Sequence, residues 1–155
     1  CREGLVDFEM SSWPDGSNLT EVRGGGTHLH PQDLETTNKD NLFSMNGPAV
    51  FKFSIPKVYR MIQDLLKRNK ISKSDIDFIV PHQTSYKGVM AYSKFGGFDV
   101  KKIINIVDVT GNCVAASIPL ALSLEHDKGT IKKDDLILLI GTGAGLSIAG
   151  AIVRL

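Results

Sequence analysis

The stretch Val80-Pro81-His82-Gln83-Thr84-Ser85 places a histidine directly after a short apolar segment. Residues 77–80 include β-branched and aromatic side chains and are closed by a proline, a pattern that predicts a buried strand ending at the edge of a sheet. In α/β proteins, ligands bind at that edge, beyond the ends of the strands. His82 is therefore predicted to lie at a ligand-binding site.

A second strand end is predicted thirty residues further along the chain. The apolar segment 103–107 is followed by the turn residues Gly111 and Asn112 and then by a helix with small side chains first. Two parallel strands would place His82 and Asn112 side by side. A neutral imidazole donates one hydrogen bond and a primary amide donates two, so the pair can direct donors at a single oxygen. Such donors stabilise the charge that develops on a thioester or enolate oxygen. The pattern alone leaves open that both side chains have purely structural roles.

The composition indicates one soluble globular domain. The chain has 155 residues, of which 42% are hydrophobic and 23% are charged. The net charge of +1 and the lack of a basic motif interleaved with aromatic residues argue against a nucleic-acid partner. Two cysteines, Cys1 and Cys113, are too few for a disulfide framework and favour a reducing, cytoplasmic compartment.

The start of the chain and its apolar runs bear on targeting. The N-terminal residues lack the apolar region of a signal peptide, and no run approaches the ~20 apolar residues that span a bilayer. No membrane partner is therefore predicted. The chain begins with a cysteine and not with methionine, which predicts a piece of a longer protein.

The N-terminal part of the chain is predicted to form strands and one long loop. Segments 4–10 and 19–22 flank a cluster of turn residues, which predicts a hairpin or paired strands. Segment 24–40 is polar without a helical or strand period and is predicted to be loop, and loops of this length are often functional. Within it, His28 and His30 could in principle share a metal ion. No third ligand lies at a recognisable spacing, so a structural role is favoured and no metal site is predicted.

Residues 48–155 are predicted to form an αβαβαββ core that follows the strands and loop of residues 1–47. Apolar residues at positions 50–66 recur at intervals of three and four, which predicts an amphipathic helix that either begins near Ser54 or is kinked at Pro56. The later elements are predicted as a strand at 77–81, a helix at about 85–94, a strand at 103–107, a helix at about 115–128, and strands at 136–140 and 146–153. This order indicates the α/β class, with helices packed on a mixed sheet.

Two further patterns admit more than one interpretation. The glycine-rich segment 141–145 follows a strand, as dinucleotide-binding loops do, but the helix and further strand that such a fingerprint needs within ~30 residues are missing. It is therefore predicted to join two strands. Residues 52–73 form the most basic segment of the chain. The favoured interpretation is that these charges face solvent. The alternative is that they form a docking surface for an acidic protein or for phosphates.

These motifs, taken in order, resemble a known family. Pro81-His82-Gln83, the pair Gly111-Asn112 and the glycine-rich segment 141–145 are similar to the C-terminal half of β-ketoacyl-acyl carrier protein synthase III, a family of the thiolase-like superfamily. Upstream, Asp15-Gly16-Ser17 and residues 44–51 resemble the approach to the first helix of that half. The resemblance covers essentially the whole chain.

The resemblance implies a fold and a reaction. It implies a duplicated αβαβα architecture in which this single domain, residues 1–155, is the second half, and the nucleophilic cysteine lies in an absent N-terminal half. That cysteine would take an acyl group from acyl-CoA. Malonyl-acyl carrier protein would then lose carbon dioxide and attack the acyl group in a Claisen condensation that starts fatty acid synthesis. His82 and Asn112 match the catalytic histidine and asparagine that bind the malonyl thioester oxygen.

The resemblance also implies substrate contacts and partners. The substrate-binding positions correspond to Met45, Phe51, Ser85, Lys87, Gly143 and Ala144. The implied partners are acyl-CoA, acyl carrier protein, the N-terminal half and a second copy of the chain in a homodimer; CoA and carrier-protein thioesters are substrates, and no cofactor is expected. Neither Cys113 nor Cys1 is convincing as the nucleophile, because a small buried side chain explains Cys113 and Cys1 stands at the chain start.

Several positions depart from the family pattern and leave the substrate open. Ser85 stands where the family usually has asparagine. Lys87 stands where the family often has arginine, and a lysine cannot make the forked contact that an arginine makes with phosphate. The alternative is that Lys87 is simply an exposed lysine on a helix. Thr142 and Ala144 occupy a loop that is often aromatic and all-glycine in relatives.

Three hypotheses follow. The chain is part of a synthase III, part of a related condensing or acyl-transferring enzyme of secondary metabolism, or a non-catalytic subunit that binds a carrier protein. The presence of both His82 and Asn112 favours the two enzyme hypotheses, because a non-catalytic subunit does not need two hydrogen-bond donors for an oxyanion.

Overall fold

Six strands and four helices make up the regular structure of residues 3–26 and 28–155, the parts of the chain that the computed structural model describes. The strands are β1 (Gly4–Ser12), β2 (Thr20–Val22), β3 (Phe43–Met45), β4 (Phe78–Pro81), β5 (Leu136–Gly143) and β6 (Ser147–Arg154). The helices are α1 (Gly47–Arg68), α2 (Tyr86–Lys94), α3 (Val107–Thr110) and α4 (Ser117–Asp127), with short 3₁₀ segments at Pro14–Leu19, Val100–Lys102 and Val114–Ala116. Cys1 lies outside the described residues.

Four of the strands form one mixed sheet in the order β1-β6-β5-β4. Strands β4 and β5 run parallel, with Phe78 opposite Ile137 and Pro81 opposite Ile140. Strand β6 is antiparallel to both of its neighbours. The prediction of a mixed sheet with helices packed on it is therefore confirmed, and His82 directly follows β4 at the end of the parallel pair.

Strand β1 pairs with β6 and not with β2, so the predicted hairpin is wrong. Residues 4–12 of β1 lie opposite residues 147–154, whereas β2 pairs with β3 in a separate two-stranded sheet. The polar face of β1 accounts for this placement, because Arg68 at the end of α1 donates hydrogen bonds to Asp7 at 2.5 Å and to Glu9 at 2.8 Å. These contacts hold β1 beside the end of α1, which also packs on β6.

The strand predicted at 103–107 is reduced to a single bridge from Ile103 to β4, and α3 begins at the last residue of the segment. The side chain of Gln83 accounts for the difference. Its amide donates to the carbonyl oxygen of Ile104 at 3.2 Å and accepts from the backbone N–H of Ile106 at 2.9 Å. Because a side chain satisfies these backbone groups, the segment does not need the hydrogen bonds of a strand ladder.

Helix α1 begins at Gly47, upstream of the predicted start. Asn46 caps the helix by accepting a hydrogen bond from the backbone N–H of Ala49 at 3.2 Å. The helix then continues through Pro56, which lacks the N–H of one helical hydrogen bond. A start near Ser54 is therefore wrong, since the asparagine cap and the proline that follows it set the first turn further upstream.

Helices cover opposite faces of the sheet. Helix α1 lies close to β6 at Gly150, where a Cβ atom would stand 2.8 Å from Cδ1 of Leu65 and 2.9 Å from Cδ1 of Ile140. On the other face, α4 packs Ala121 against buried side chains of β4 and β5, including Val80. No helix among the described residues is both long and apolar enough to cross a membrane.

The face that carries α4 continues onto β1 and β6, where the described residues leave it largely uncovered. Val153 of β6 lies opposite Ile137, a member of the α4-side core, and on its other side opposite Leu5. Leu5, Phe8 and Met10 of β1 are 59%, 65% and 68% exposed. We call this surface the apolar sheet face; it consists of Leu5, Phe8, Met10, Ala149, Ala151 and Val153. Exposed apolar surface of this kind marks an interaction site.

Candidate functional site

A groove of about 770 Å³ lies between the N-terminal half of α1 and helix α2. Its lining is predominantly apolar and includes five residues predicted to bind substrate or to act in catalysis. These residues are Met45, Phe51, His82, Ser85 and Lys87. The fold therefore brings together side chains from β3, α1, the end of β4 and the start of α2, which is the arrangement of an apolar ligand site with a few polar groups.

His82 lines this groove and directly follows β4. Its backbone N–H donates to the carbonyl oxygen of Ile140 at 2.8 Å, which continues the parallel ladder by one residue. The side chain is half-buried, and its imidazole makes no hydrogen bond to any other described residue. Burial lowers the pKa of His82 below its ordinary value, so the ring is neutral at neutral pH and has one N–H to donate.

Asn112 lies on an exposed turn beyond α3 and outside the lining of the groove. The turn is made by Gly111, which has a φ of 64°. The side-chain oxygen of Asn112 accepts a hydrogen bond from the backbone N–H of Val114 at 2.9 Å. This contact fixes the amide so that its NH₂ group remains available to donate, although Asn112 and His82 do not hydrogen-bond to one another.

Val114 adopts a backbone conformation that β-branched residues avoid. Its φ is 51°, in the left-handed region, and its side chain is 72% exposed. Backbone strain of this kind concentrates at functional sites. The strained residue is the one whose N–H orients Asn112.

Ser85 has a structural role that limits what it can offer a ligand. Its Oγ accepts a hydrogen bond from the backbone N–H of Gly88 at 3.2 Å and caps α2. A Cβ atom at Gly88 would stand 2.3 Å from Oγ1 of Thr84, so the first turn of α2 packs closely on the residue that precedes its cap. The hydroxyl hydrogen of Ser85 is left for a ligand, and the neighbouring Lys87 is exposed at the rim of the groove.

The walls of the groove are joined by aromatic side chains. Phe51 of α1 meets Phe95 edge to face, with ring centroids 6.3 Å apart. Deeper in, the hydroxyl of Tyr59 donates to the carbonyl oxygen of Ala91 at 2.5 Å, and the Tyr59 ring meets Tyr92 at 6.5 Å. Burial raises the pKa of Tyr59 to about 12. Tyr59 therefore acts as a neutral hydrogen-bonded tie between α1 and α2.

The glycine-rich segment joins β5 to β6, as predicted, but its residues up to Gly143 belong to β5 and the turn itself starts at Ala144. Thr142 lines the groove, whereas Gly143 and Ala144 are exposed and lie outside that lining. The turn is anchored by paired backbone hydrogen bonds between Trp13 and Leu146 at 2.8 and 3.0 Å.

Gly16 supports this anchor from the other side. A Cβ atom at Gly16 would lie 3.0 Å from Cβ of Leu146 and 2.8 Å from Cε1 of Phe53. The Asp-Gly-Ser turn around residue 16 thus permits close packing behind the glycine-rich turn.

The cysteine considered as a nucleophile and the two histidines considered as metal ligands lie outside the lining of the groove. Cys113 is half-buried, and its thiol donates to the carbonyl oxygen of Thr110 at 3.3 Å. His28 and His30 are exposed in the long loop, and the Nδ1 atom of His30 accepts a hydrogen bond from the backbone N–H of Gln32.

Sequence reasoning missed the part played by Gln83. This side chain is fully buried and uses its amide to join the end of β4 to residues 104–106. The only signal in the sequence is a long polar residue directly after the histidine of a strand end. Apolar periodicity does not distinguish such a residue from an exposed loop glutamine.

Comparison with known protein families identifies a match that includes the motifs described above. The family of 3-oxoacyl-[acyl-carrier-protein (ACP)] synthase III C-terminal regions matches residues 66–155, which is more than half of the chain. The chain belongs to this family. Within the synthase III match lie His82, Asn112, the glycine-rich turn and the strands that carry them.

Relatives of known name extend the synthase III match upstream. The chain is 40% identical over 152 residues to the β-ketoacyl-[acyl-carrier-protein] synthase III of Rickettsia prowazekii, covering 97% of this chain and 45% of that protein. It is 33% identical over 151 residues to the synthase of the same name from Clostridioides difficile, covering 97% of this chain and 46% of that protein. The chain therefore spans about half the length of the curated synthase III relatives it matches.

Solved synthase III structures share the fold. A crystal structure of a 3-oxoacyl-(acyl-carrier-protein) synthase III superposes with a TM-score of 0.92 at 25% identity, covering 98% of this chain and 48% of that one. The synthase III of Thermus thermophilus superposes with a TM-score of 0.84 at 29% identity, covering 99% and 46%. The thiolase-like α/β fold is therefore that of the C-terminal half of synthase III.

Proposed function

We propose that this chain is the C-terminal half of a 3-oxoacyl-acyl carrier protein synthase III and supplies the groups that activate malonyl thioester for condensation. The observation that carries the proposal is the half-buried His82, whose neutral imidazole has no hydrogen-bond partner among the described residues and lines a large apolar groove. A fixed donor in a dry pocket suits stabilisation of a developing oxyanion.

The proposed reaction uses His82 and Asn112 as donors to one oxygen. The bond between the α-carbon and the carboxylate carbon of the malonyl group breaks, carbon dioxide leaves, and the electron pair moves onto the thioester oxygen as an enolate. The imidazole N–H and the amide NH₂ donate to that oxygen. The enolate carbon then attacks the carbonyl carbon of an acyl group held on a cysteine of the N-terminal half, and the cysteine thiolate leaves.

The groove between α1 and α2 is proposed to hold the arm that carries the thioester. Phe51 and Met45 offer apolar walls along which the flexible arm of a thioester would reach the half-buried His82. Lys87, exposed at the rim, offers one cation to the phosphate of CoA or to an acidic carrier protein. The hydroxyl hydrogen of Ser85 is available to a polar group of the arm.

The N-terminal half is proposed to cover the apolar sheet face and the turn that carries Asn112. Both surfaces are exposed in this chain, and the relatives contain about as much sequence again as the chain spans. The nucleophilic cysteine is proposed to lie in that half, because Cys113 donates its thiol to a backbone carbonyl. We further propose a homodimer in the cytoplasm that uses no cofactor beyond its thioester substrates.

A second candidate function keeps the reaction and changes the substrate. Ser85 and Lys87, which line the groove, depart from the residues that the family usually has at these positions. These two departures motivate the second candidate, a condensing or acyl-transferring enzyme of secondary metabolism, for which exclusive use of free CoA thioesters would be the evidence. Rates with malonyl-CoA against malonyl-carrier protein separate the two candidates.

The test of the main proposal follows acyl loading and condensation separately in the complete protein. Intact mass after incubation with acetyl-CoA should show one acetyl group in the unsubstituted protein, in His82→Ala and in Asn112→Ala. Condensation with malonyl thioester should fall by about a hundredfold to a thousandfold in each of the two variants. His126→Ala, a change at an exposed histidine of α4, is the matched control and should retain both steps. An acetyl group found on Cys113 would contradict the proposed division of the reaction.

A further inference from the structure

Gln83 and Ser117 are the two fully buried polar side chains among the described residues, and Gln83 is the one whose polar atoms are all engaged. The Nε2 atom donates to the carbonyl oxygen of Pro81 at 2.8 Å and to that of Ile104 at 3.2 Å. The Oε1 atom accepts from the backbone N–H of Ile106 at 2.9 Å. A single amide thus makes three hydrogen bonds to two segments of backbone.

These two segments lead to the two proposed oxyanion donors. Pro81 immediately precedes His82. Ile106 begins the turn of α3, where its carbonyl oxygen accepts from the backbone N–H groups of Val109 and Thr110 at 3.0 Å each. The N–H of Gly111 then donates to the carbonyl oxygen of Val107 at 2.8 Å, and Asn112 is the next residue. A continuous series of hydrogen bonds therefore runs from Gln83 to the Asn112 turn.

We propose that Gln83 is a positioning residue that sets the separation of His82 and Asn112, so that both donors reach the same oxygen. This inference rests on the proposed condensation reaction. The planar amide joins two segments that share only one backbone bridge, from Ile79 to Ile103. The backbone N–H of Ile104 donates to the carbonyl oxygen of Ile79 at 2.9 Å, and beyond that bond Gln83 supplies the described hydrogen bonds between residues 104–106 and the end of β4.

A small displacement of either donor is enough to slow the reaction. Misplacement of a catalytic group by about 1 Å can cost on the order of a hundredfold in rate. The acyl-loading step uses a cysteine outside this chain and does not need the two donors at a common oxygen. Loss of Gln83 should therefore slow condensation and leave loading intact.

The primary test compares Gln83→Met with Ile152→Ala in the complete protein. The methionine side chain keeps the length of glutamine but cannot hydrogen-bond to Pro81, Ile104 or Ile106. We expect kcat of condensation to fall about a hundredfold, with acyl loading and KM for acyl-CoA unchanged. Ile152→Ala removes a fully buried side chain of β6 remote from these bonds, and it should lower the melting temperature while leaving kcat unchanged.

A second variant gives a readout that a purely structural role would not move. In Gln83→Glu the introduced carboxyl keeps an acceptor for Ile106, and when protonated it regains one donor. Burial raises the pKa of such a carboxyl, so kcat of this variant should recover as the pH is lowered from 9 towards 7, whereas kcat of Gln83→Met should not. If Gln83→Met fails to fold, the pH profile of Gln83→Glu is compared with that of the unsubstituted protein, whose kcat should show no such recovery between pH 9 and pH 7.

A double-substitution cycle completes the test. If Gln83 acts through the donors, Gln83→Met should cause no further loss of condensation in a His82→Ala background. The proposal is overturned by a full further loss in that background, by equal loss of loading and condensation, or by a kcat of Gln83→Met equal to that of Ile152→Ala. Failure of the unsubstituted protein to condense, or full activity of His82→Ala, would instead refute the proposed reaction itself.

Discussion

Replacing Phe8 with alanine measures whether the N-terminal half covers the apolar sheet face. Phe8 is 65% exposed in this chain and pairs with Ala151 across β1 and β6. A phenylalanine side chain presents roughly 200 Å² of surface, so covering the exposed fraction would bury about 130 Å². At about 25 cal/mol per Å², that burial is worth about 3 kcal/mol. Phe8→Ala should therefore destabilise the complete protein by about 3 kcal/mol and the chain without its other half by much less.

Urea unfolding of both forms provides the assay, with the midpoint and slope fitted for each variant. Leu34→Ala is the matched control, because Leu34 is a fully exposed apolar residue of the long loop. It should change the free energy of unfolding by less than about 0.5 kcal/mol in either form. If Phe8→Ala costs no more than Leu34→Ala in the complete protein, the apolar sheet face is not an internal interface and the assignment of its occupant is refuted.

Three further outcomes are expected. Burial lowers the pKa of His82 from 6.5, so its imidazole stays neutral as the pH falls through 6.5. The value of kcat/KM for malonyl thioester should therefore be unchanged at pH 6.5 and should decline only at lower pH. A midpoint of this decline above pH 6.5 would contradict a neutral His82. Hydrogen bonds from Arg68 lower the pKa of Asp7 from 3.8 to about 2, so this carboxylate stabilises the fold fully above pH 3.8 and progressively less as the pH falls to about 2. Unfolding by urea at pH 5 and at pH 2.5 should show this loss in the unsubstituted protein and a smaller one in Asp7→Asn. Val114→Gly should relieve a φ of 51° and raise stability by about 1 kcal/mol, or the melting temperature by about 2–4 °C, measured by calorimetry; an unchanged or lower value would show that the conformation is not strained.

Local patterns were sufficient to predict the end of β4 and the glycine-rich turn. Three apolar residues closed by Pro81 define a strand end, and a histidine placed directly after it lies at the edge of the sheet whatever the rest of the sheet contains. The glycines at 141, 143 and 145 predict a tight connection for the same local reason. Both predictions depend on neighbouring residues alone, and the structure confirms the elements.

Long-range pairing could not be predicted in the same way. The segment that became β1 has an apolar and an acidic face, and only the position of Arg68 on α1 determines where the acidic face goes. Residues 103–107 are apolar and β-branched as a strand requires, yet a side-chain amide from Gln83 takes the place of a backbone partner. A hydrogen bond of this kind, in which a side chain replaces a backbone partner, depends on residues that are distant in the sequence. It therefore produces no periodic pattern of apolar residues that could be recognised in the sequence.

The candidate site was predicted only in part for a similar reason. Residue types and a resemblance singled out His82 and Asn112, but the roles of their neighbours depend on geometry. Ser85 uses its oxygen to cap α2, and Gly143 and Ala144 lie outside the groove while Thr142 lines it. The hydrogen bond from Val114 that orients Asn112 arises from a backbone conformation that sequence propensity disfavours.

The pairing of β1 with β6 has a consequence for how the protein is made. Paired residues of these two strands are far apart in the sequence; Ser12 and its partner Ser147 are separated by 135 residues of chain. At roughly 5–20 residues per second, a ribosome needs about 7–27 seconds to add those residues, and β1 waits that long with an unpaired edge and apolar side chains. During translation this strand is a target for a chaperone until β6 has been made, and slowing elongation should increase aggregation of the nascent chain.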